Sequence, residues 1–211
     1  MARPHRLVLT PWDGRNAGLL AQCRQSVRAS TSAEHRVVRC GPEWQETMFQ
    51  MRNDADLVAW VDADDVVYGR AIDLAFEALE RLPWCGLAFT DEAIIDVMGT
   101  VMRVNDRPRT RENLAAGPAG IHHLVVTRTG TIDEEPLALW KQYPAVPLDW
   151  LMRARCGLRY GVTRVPMVGY GYRRHVGQMT ASAEFSRQMG RTIAPVSRVL
   201  RRWMAKEVCN G

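Results

Sequence analysis

The 211-residue sequence has no window of 18 consecutive apolar residues, which excludes a membrane-spanning helix. The only early apolar run, Leu7-Val8-Leu9, stops at Pro11 and is too short for the core of a signal peptide. Cysteine is scarce: five residues (23, 40, 85, 156 and 209), odd in number and with no CxxC pair. That pattern argues against a zinc site or a disulfide framework and fits a reducing compartment, the cytoplasm. Lysine is almost missing, with two of the 28 basic residues, so the positive charge is nearly all arginine. There is no internal repeat and no low-complexity tract. What remains is an ordinary globular composition, 46% hydrophobic and 24% charged, of a length that buries a full core.

The charge is segregated. Residues 1–40 carry a net +5, residues 41–149 a net −10, and residues 150–211 a net +10. An acidic centre between basic flanks suits a cation-dependent site beside surfaces that meet phosphates, although an arginine-rich coding bias produces the same totals.

Hydrophobic patterning gives alternating strands and helices. Short apolar runs predict strands over residues 6–10, 35–39, 56–61, 84–90 and 121–128, with late strands over 162–168 and 170–172. Periodic apolar positions predict helices over 16–29, 43–52, 69–82 and 147–156, and a C-terminal helix over 183–206 broken near Pro195. Residues 100–120 read as a long loop. The alternation predicts an α/β fold with a mostly parallel central sheet flanked by helices.

The sharpest feature is Asp62-Ala63-Asp64-Asp65, directly after the apolar run 56–61. In open α/β sheets the carboxyl ends of strands line the ligand crevice. Residues 62 and 64 share one side of an extended segment, and two converging carboxylates repel unless a cation or proton intervenes. A hard divalent cation, Mn²⁺ or Mg²⁺, resolves this and bridges readily to phosphates. A solvated acidic turn or the N-cap of the following helix is the plainer alternative.

Further stretches follow in order: Phe89-Thr90-Asp91-Glu92, Asp96 to Gly99, residues 120–128 with His122-His123-Leu124, Leu148-Asp149-Trp150, and Tyr170-Gly171-Tyr172-Arg173-Arg174-His175 with Gly177, Met179, Thr180 and Ser182. Together with the DxDD segment, this order resembles the family 2 glycosyltransferases of the GT-A fold, a Rossmann-like nucleotide-diphospho-sugar transferase, over roughly residues 5–182. The resemblance implies a metal-dependent, inverting hexosyltransferase using a nucleotide-sugar donor, most readily a UDP-sugar. It implies donor contacts from Pro11, Trp12, Asp13, Asp62 and Arg173, a metal held by Asp64 and His175, and Asp149 as general base. The first turn departs from the family's Pro-Thr/Ser-Tyr-Asn, and no acidic residue follows the second strand at Arg39-Cys40-Gly41.

In size and charge plan the chain resembles the bacteriophage enzymes that glycosylate hydroxymethylated pyrimidines, implying DNA with 5-hydroxymethylcytosine as acceptor in a host cytoplasm. A surface polysaccharide or lipid-linked glycan, or an inactive GT-A-like nucleic-acid-binding module, are the alternatives. Domain organisation reads as a catalytic unit over 1–182 and a basic helical extension over 183–211. The extension mixes arginine with Phe185, Met189, Val199, Leu200, Trp203 and Met204, a composition suited to a bilayer surface or a nucleic-acid backbone.

Overall fold

The structure is a computed structural model, and it describes residues 4–41, 43–105, 110–118, 120–176, 178 and 183–208. Gly177, Met179, Thr180, Ser182 and Cys209, singled out above, lie outside them, as does the side chain of Phe185.

The strands are β1 (Arg6–Trp12), β2 (Glu34–Arg39), β3 (Leu57–Trp60), β4 (Val66–Val67), β5 (Leu87–Ile95), β6 (Val101–Asn105), β7 (Val125–Arg128) and β8 (Val162–Arg173). The helices are α1 (Ala17–Ser30), α2 (Trp44–Gln50), α3 (Ala71–Arg81), α4 (Arg111–Ala116), α5 (Glu135–Gln142), α6 (Leu148–Tyr160) and α7 (Ala183–Val208). They build one sheet in the order β2-β1-β3-β7-β5-β8-β4, with β6 added to β5.

The sheet is mixed rather than mostly parallel. β1 runs parallel to β2 and β3, and β5 to β8, but β7 is antiparallel to both β3 and β5, and β4 and β6 are antiparallel to their partners. Apolar runs look alike in either direction, which is why hydrophobicity alone does not reveal the reversal. Two apolar layers form, because strand side chains alternate faces. Leu7, Leu9, Val58 and Trp60 face the layer under α2, α6 and α7. Val8, Leu57 and Ala59 face α1 and α3, meeting Cys23, Val27, Ile72 and Phe76.

Three local readings change. The stretch read as a loop over 100–120 contains β6 and α4, the latter started by a reciprocal capping box between Thr110 and Asn113. The two late strands are one, β8. And α7 is continuous through Pro195. Its apolar stripe is not available to a bilayer: Met189, Val196, Leu200 and Trp203 are buried in the core layer, with Val199 and Met204 packed against it. Asp91 and Glu92, on β5, are both buried, and Asp91 accepts two bonds from Arg164 at 2.5 and 2.9 Å.

Helix α6 crosses β5 closely at Gly86. A Cβ built there meets the Cys156 carbonyl oxygen at 2.6 Å. Because that contact is backbone, it does not relax by a rotamer change. Gly86→Ala is expected to destabilise the protein by about 2–4 kcal/mol in urea unfolding, whereas Gly18→Ala, with nothing within 4 Å, is expected to leave it unchanged or slightly stabler.

Candidate active site

Parallel strands β1 and β3 end side by side, and the chain leaves both towards one crevice. After β1 comes the turn Asp13–Gly14, and after β3 comes the acidic segment 62–65. Between them lies a cavity of about 600 Å³, lined among others by Pro11, Trp12, Asp13, Asp62, Asp64 and His175. Six of the residues expected from sequence are thus brought together. Its wall carries two indoles, Trp12 and Trp44, and an ionic cluster of the two aspartates and His175. Asp13 is tied to Arg15, whose Nε donates at 2.7 Å, while the Trp12 indole donates to the Arg15 carbonyl at 2.6 Å. Trp44, Arg15, Asn16, Cys40 and Gln178 also line the cavity and carry no motif that marks them in the sequence.

At the ionic end each aspartate has its own imidazole. Asp64 Oδ2 lies 2.8 Å from His175 Nε2, and Asp62 Oδ2 lies 3.2 Å from His123 Nε2. Burial works against the Asp62 charge, but the facing His123, helped by His122 and Arg153, holds its pKa at about 2. Asp64 moves the other way: burial, and then the charge of Asp62, push it up against the opposing pull of His175. Fully buried Asp65 is pushed well above the ordinary range by burial and by both neighbours, while its Oδ1 accepts the Arg173 backbone N–H at 2.7 Å. The Tyr170 hydroxyl accepts the Asp62 N–H at 3.0 Å, fixing the start of the segment to β8.

Arg173 is not at the cavity wall. Its guanidinium is buried and donates to the carbonyls of Asp64 (2.7 Å) and Val97 (2.8 Å) and to Gln22 Oε1 (3.0 Å). It clamps the acidic segment, the β5–β6 turn and α1 together. Asp149 also stands apart from the cavity lining: it sits on the first turn of α6, with Oδ2 receiving Arg153 Nη2 at 2.8 Å. Trp60 and Trp150 are core residues.

For a divalent cation, Asp64 and His175 are adjacent donors on the cavity wall. No set of three His, Cys, Asp or Glu side chains that could hold a metal occurs among the described residues. The protein therefore offers two ligands at this spot, which suits a cation that keeps water or phosphate oxygens in its other positions.

No protein-family model matches the sequence, and no curated protein does. The architecture, however, has solved counterparts. The crystal structure of S. aureus TarS 1–349 in complex with UDP-GlcNAc superposes with a TM-score of 0.52 at 14% identity, covering 96% of this chain and 71% of that one. A second crystal structure of S. aureus TarS 1–349 gives 0.50 at 13% identity, over 96% and 70%. The fold is the GT-A fold. Within a GT-A sheet, the crevice at the ends of β1 and β3 is the strand-end position where open α/β sheets take ligands. No described helix is long and apolar enough to cross a membrane.

Proposed function

We propose that this chain is a glycosyltransferase that moves a sugar from a nucleotide-sugar donor to an acceptor hydroxyl. The observation that carries the reading is the cavity at the strand ends of a GT-A sheet, lined by both indoles and an aspartate–histidine cluster. Indoles suit a flat base, and carboxylates with a histidine suit a cation-bound diphosphate. A UDP-sugar is the donor favoured, supported by the UDP-GlcNAc held in the TarS structure. Pro11, Trp12 and Asp13 contact the nucleoside, and Asp62 the ribose or the metal.

Asp64 and His175 hold the cation, Mn²⁺ or Mg²⁺. When bound, it offsets the charge that develops on the departing diphosphate. The protein's own contribution is to orient the donor: the Arg173 clamp fixes the acidic segment, and His123 and His175 fix the two carboxylates. A nucleophilic hydroxyl needs a positioned proton acceptor. Asp149, on the first turn of α6, is that acceptor, held in place by Arg153 Nη2 at 2.8 Å from Oδ2.

For the acceptor we favour DNA carrying 5-hydroxymethylcytosine. With its apolar side spent on the core, α7 presents Arg191, Arg198, Arg201 and Arg202 outward, none of them ion-paired among the described residues. Such a stripe suits a phosphate backbone.

Thermal shift with UDP-glucose, UDP-GlcNAc and GDP-mannose tests the donor site. A ligand that binds only the folded state raises the melting temperature by mass action. The expected result is a rise with at least one nucleotide-sugar that grows when Mn²⁺ is added. No shift with any of them, with or without Mn²⁺ at millimolar concentration, would contradict the reading.

A further inference from the structure

Exposed apolar surface is concentrated in one place. Seven large hydrophobic side chains are exposed among the described residues. Five of them, Val97, Met98, Val101, Met102 and Val104, belong to the hairpin of β5 and β6, and a sixth, Val176, lines the cavity. A cluster of this kind marks a contact with a partner. Residues 101–104 are exposed without a break, so neither face of β6 is covered by the protein, and among the described residues the strand pairs with β5 alone.

The tip of the hairpin is a built turn. Asp96 Oδ1 accepts the N–H groups of Met98 at 2.9 Å and Thr100 at 2.8 Å, and the Gly99 N–H donates to the Asp96 carbonyl at 3.0 Å. Gly99 has φ +89°, a conformation that glycine adopts without strain, and the neighbouring Met98 is 84% exposed. The turn is also tied to the donor cavity. Arg173 donates both to the Val97 carbonyl and to the carbonyl of Asp64, which lines that cavity. The Arg174 N–H donates to the Ile95 carbonyl at 2.8 Å, one residue before His175 of the cavity wall. Arg103 on β6 and Arg174 are exposed, and neither is ion-paired among the described residues.

A two-stranded ribbon bare on both faces of one strand suits a groove better than a flat surface. The major groove of B-DNA, about 12 Å wide, admits such a ribbon, and the C5 substituent of a pyrimidine points into it. In 5-hydroxymethylcytosine that substituent carries the acceptor hydroxyl. We propose that the β5–β6 hairpin is the arm by which this chain enters the major groove of its acceptor DNA, with Met98 at the tip, an inference that rests on the acceptor reading above. The apolar side chains meet C5 substituents and wedge against base steps. Arg103 and Arg174 supply the positive charge that meets the phosphates. Because one guanidinium bonds the hairpin turn and the Asp64 backbone alike, a hairpin seated in the groove brings the base edges towards the ionic cluster, where the sugar leaves the diphosphate.

The test is binding of a fluorescently labelled hydroxymethylcytosine duplex to the full chain, read by anisotropy without donor. Met98→Ser combined with Met102→Ser is expected to weaken the affinity by at least about tenfold, the worth of one buried apolar side chain. The melting temperature and the thermal shift with nucleotide-sugars are expected to stay as in wild type, since both methionines lie outside the core. Arg103→Gln is expected to lower the slope of log Kd against log salt by about one. A wild-type protein that does not bind the duplex overturns the proposal, and so does wild-type affinity in the folded double variant. In that second case, vesicles of phosphatidylcholine and phosphatidylglycerol that bind wild type and not the variant give the hairpin to a bilayer instead. A dimer in sedimentation velocity that the variant loses gives it instead to a second copy. The functional reading fails separately: methionine-dependent duplex binding with no nucleotide release from any donor refutes the sugar transfer and leaves the arm standing.

Discussion

Replacing Asp64 by asparagine is expected to lower nucleotide release by at least about 10³-fold and to leave the melting temperature unchanged or raised. The loss follows from its position. Asp64 is the carboxylate beside His175 at the ionic end of the cavity, where charge on the leaving diphosphate must be offset, and one such contact is worth on the order of 10²–10³ or more in rate. The stability follows from the same environment. Burial and the charge of Asp62 push the Asp64 pKa up in the folded protein. A carboxyl whose folded pKa lies above its unfolded value favours the fold most when protonated, and that advantage is lost as pH rises through the folded pKa. At neutral pH the charged form is therefore a stability cost that asparagine removes, while still bonding to His175. The difference in melting temperature between variant and wild type should narrow as the pH falls below the carboxylate range. A functional site that costs stability is the usual trade. Wild-type turnover in the variant would contradict the assignment of Asp64.

The second large effect concerns Arg173. Resemblance makes it a donor contact, but its guanidinium is buried where the acidic segment, the β5–β6 turn and α1 meet, and it bonds to all three. Arg173→Met keeps the volume and removes the donors to Asp64 O, Val97 O and Gln22 Oε1. Each stranded acceptor costs about 1–3 kcal/mol. The total is expected at about 3–5 kcal/mol, which for a chain of this size lowers the melting temperature by on the order of 10 °C. Donor affinity should fall as well, since the clamp sets the Asp64 backbone. A plain donor contact would behave differently: affinity would fall and the melting temperature of the free protein would not.

Much of this site is legible in the sequence because strand ends mark it. An apolar run that stops at Asp62-Ala63-Asp64 announces a carboxylate-lined crevice, and a second run that stops at Pro11-Trp12-Asp13 supplies its other wall. The helices α1, α3 and α6 were readable from apolar spacing. What was not readable depends on long-range pairing. Strand β6 carries exposed Val101, Met102 and Val104 and, among the described residues, pairs with β5 alone, so no buried pattern distinguishes it from a loop. The direction of β7 leaves no trace in its composition. Trp44 and Gln178 come to the cavity from a helix and a late loop, without a motif. Arg173 and Asp64 are both recognisable as charged residues, but a charge that clamps and a charge that lines a cavity look the same until their partners are known. The apolar residues of α7 read equally well as a bilayer face or as core, and only the packing of Leu200 and Trp203 decides for the core.

The most direct test of the central claim is nucleoside diphosphate release with a panel of UDP- and GDP-sugars and Mn²⁺, run with hydroxymethylcytosine DNA, with unmodified DNA and without acceptor. The account predicts release from at least one donor, fastest with the hydroxymethylated DNA, and lost in Asp64→Asn. No binding and no release for any donor in any of the three conditions would contradict it.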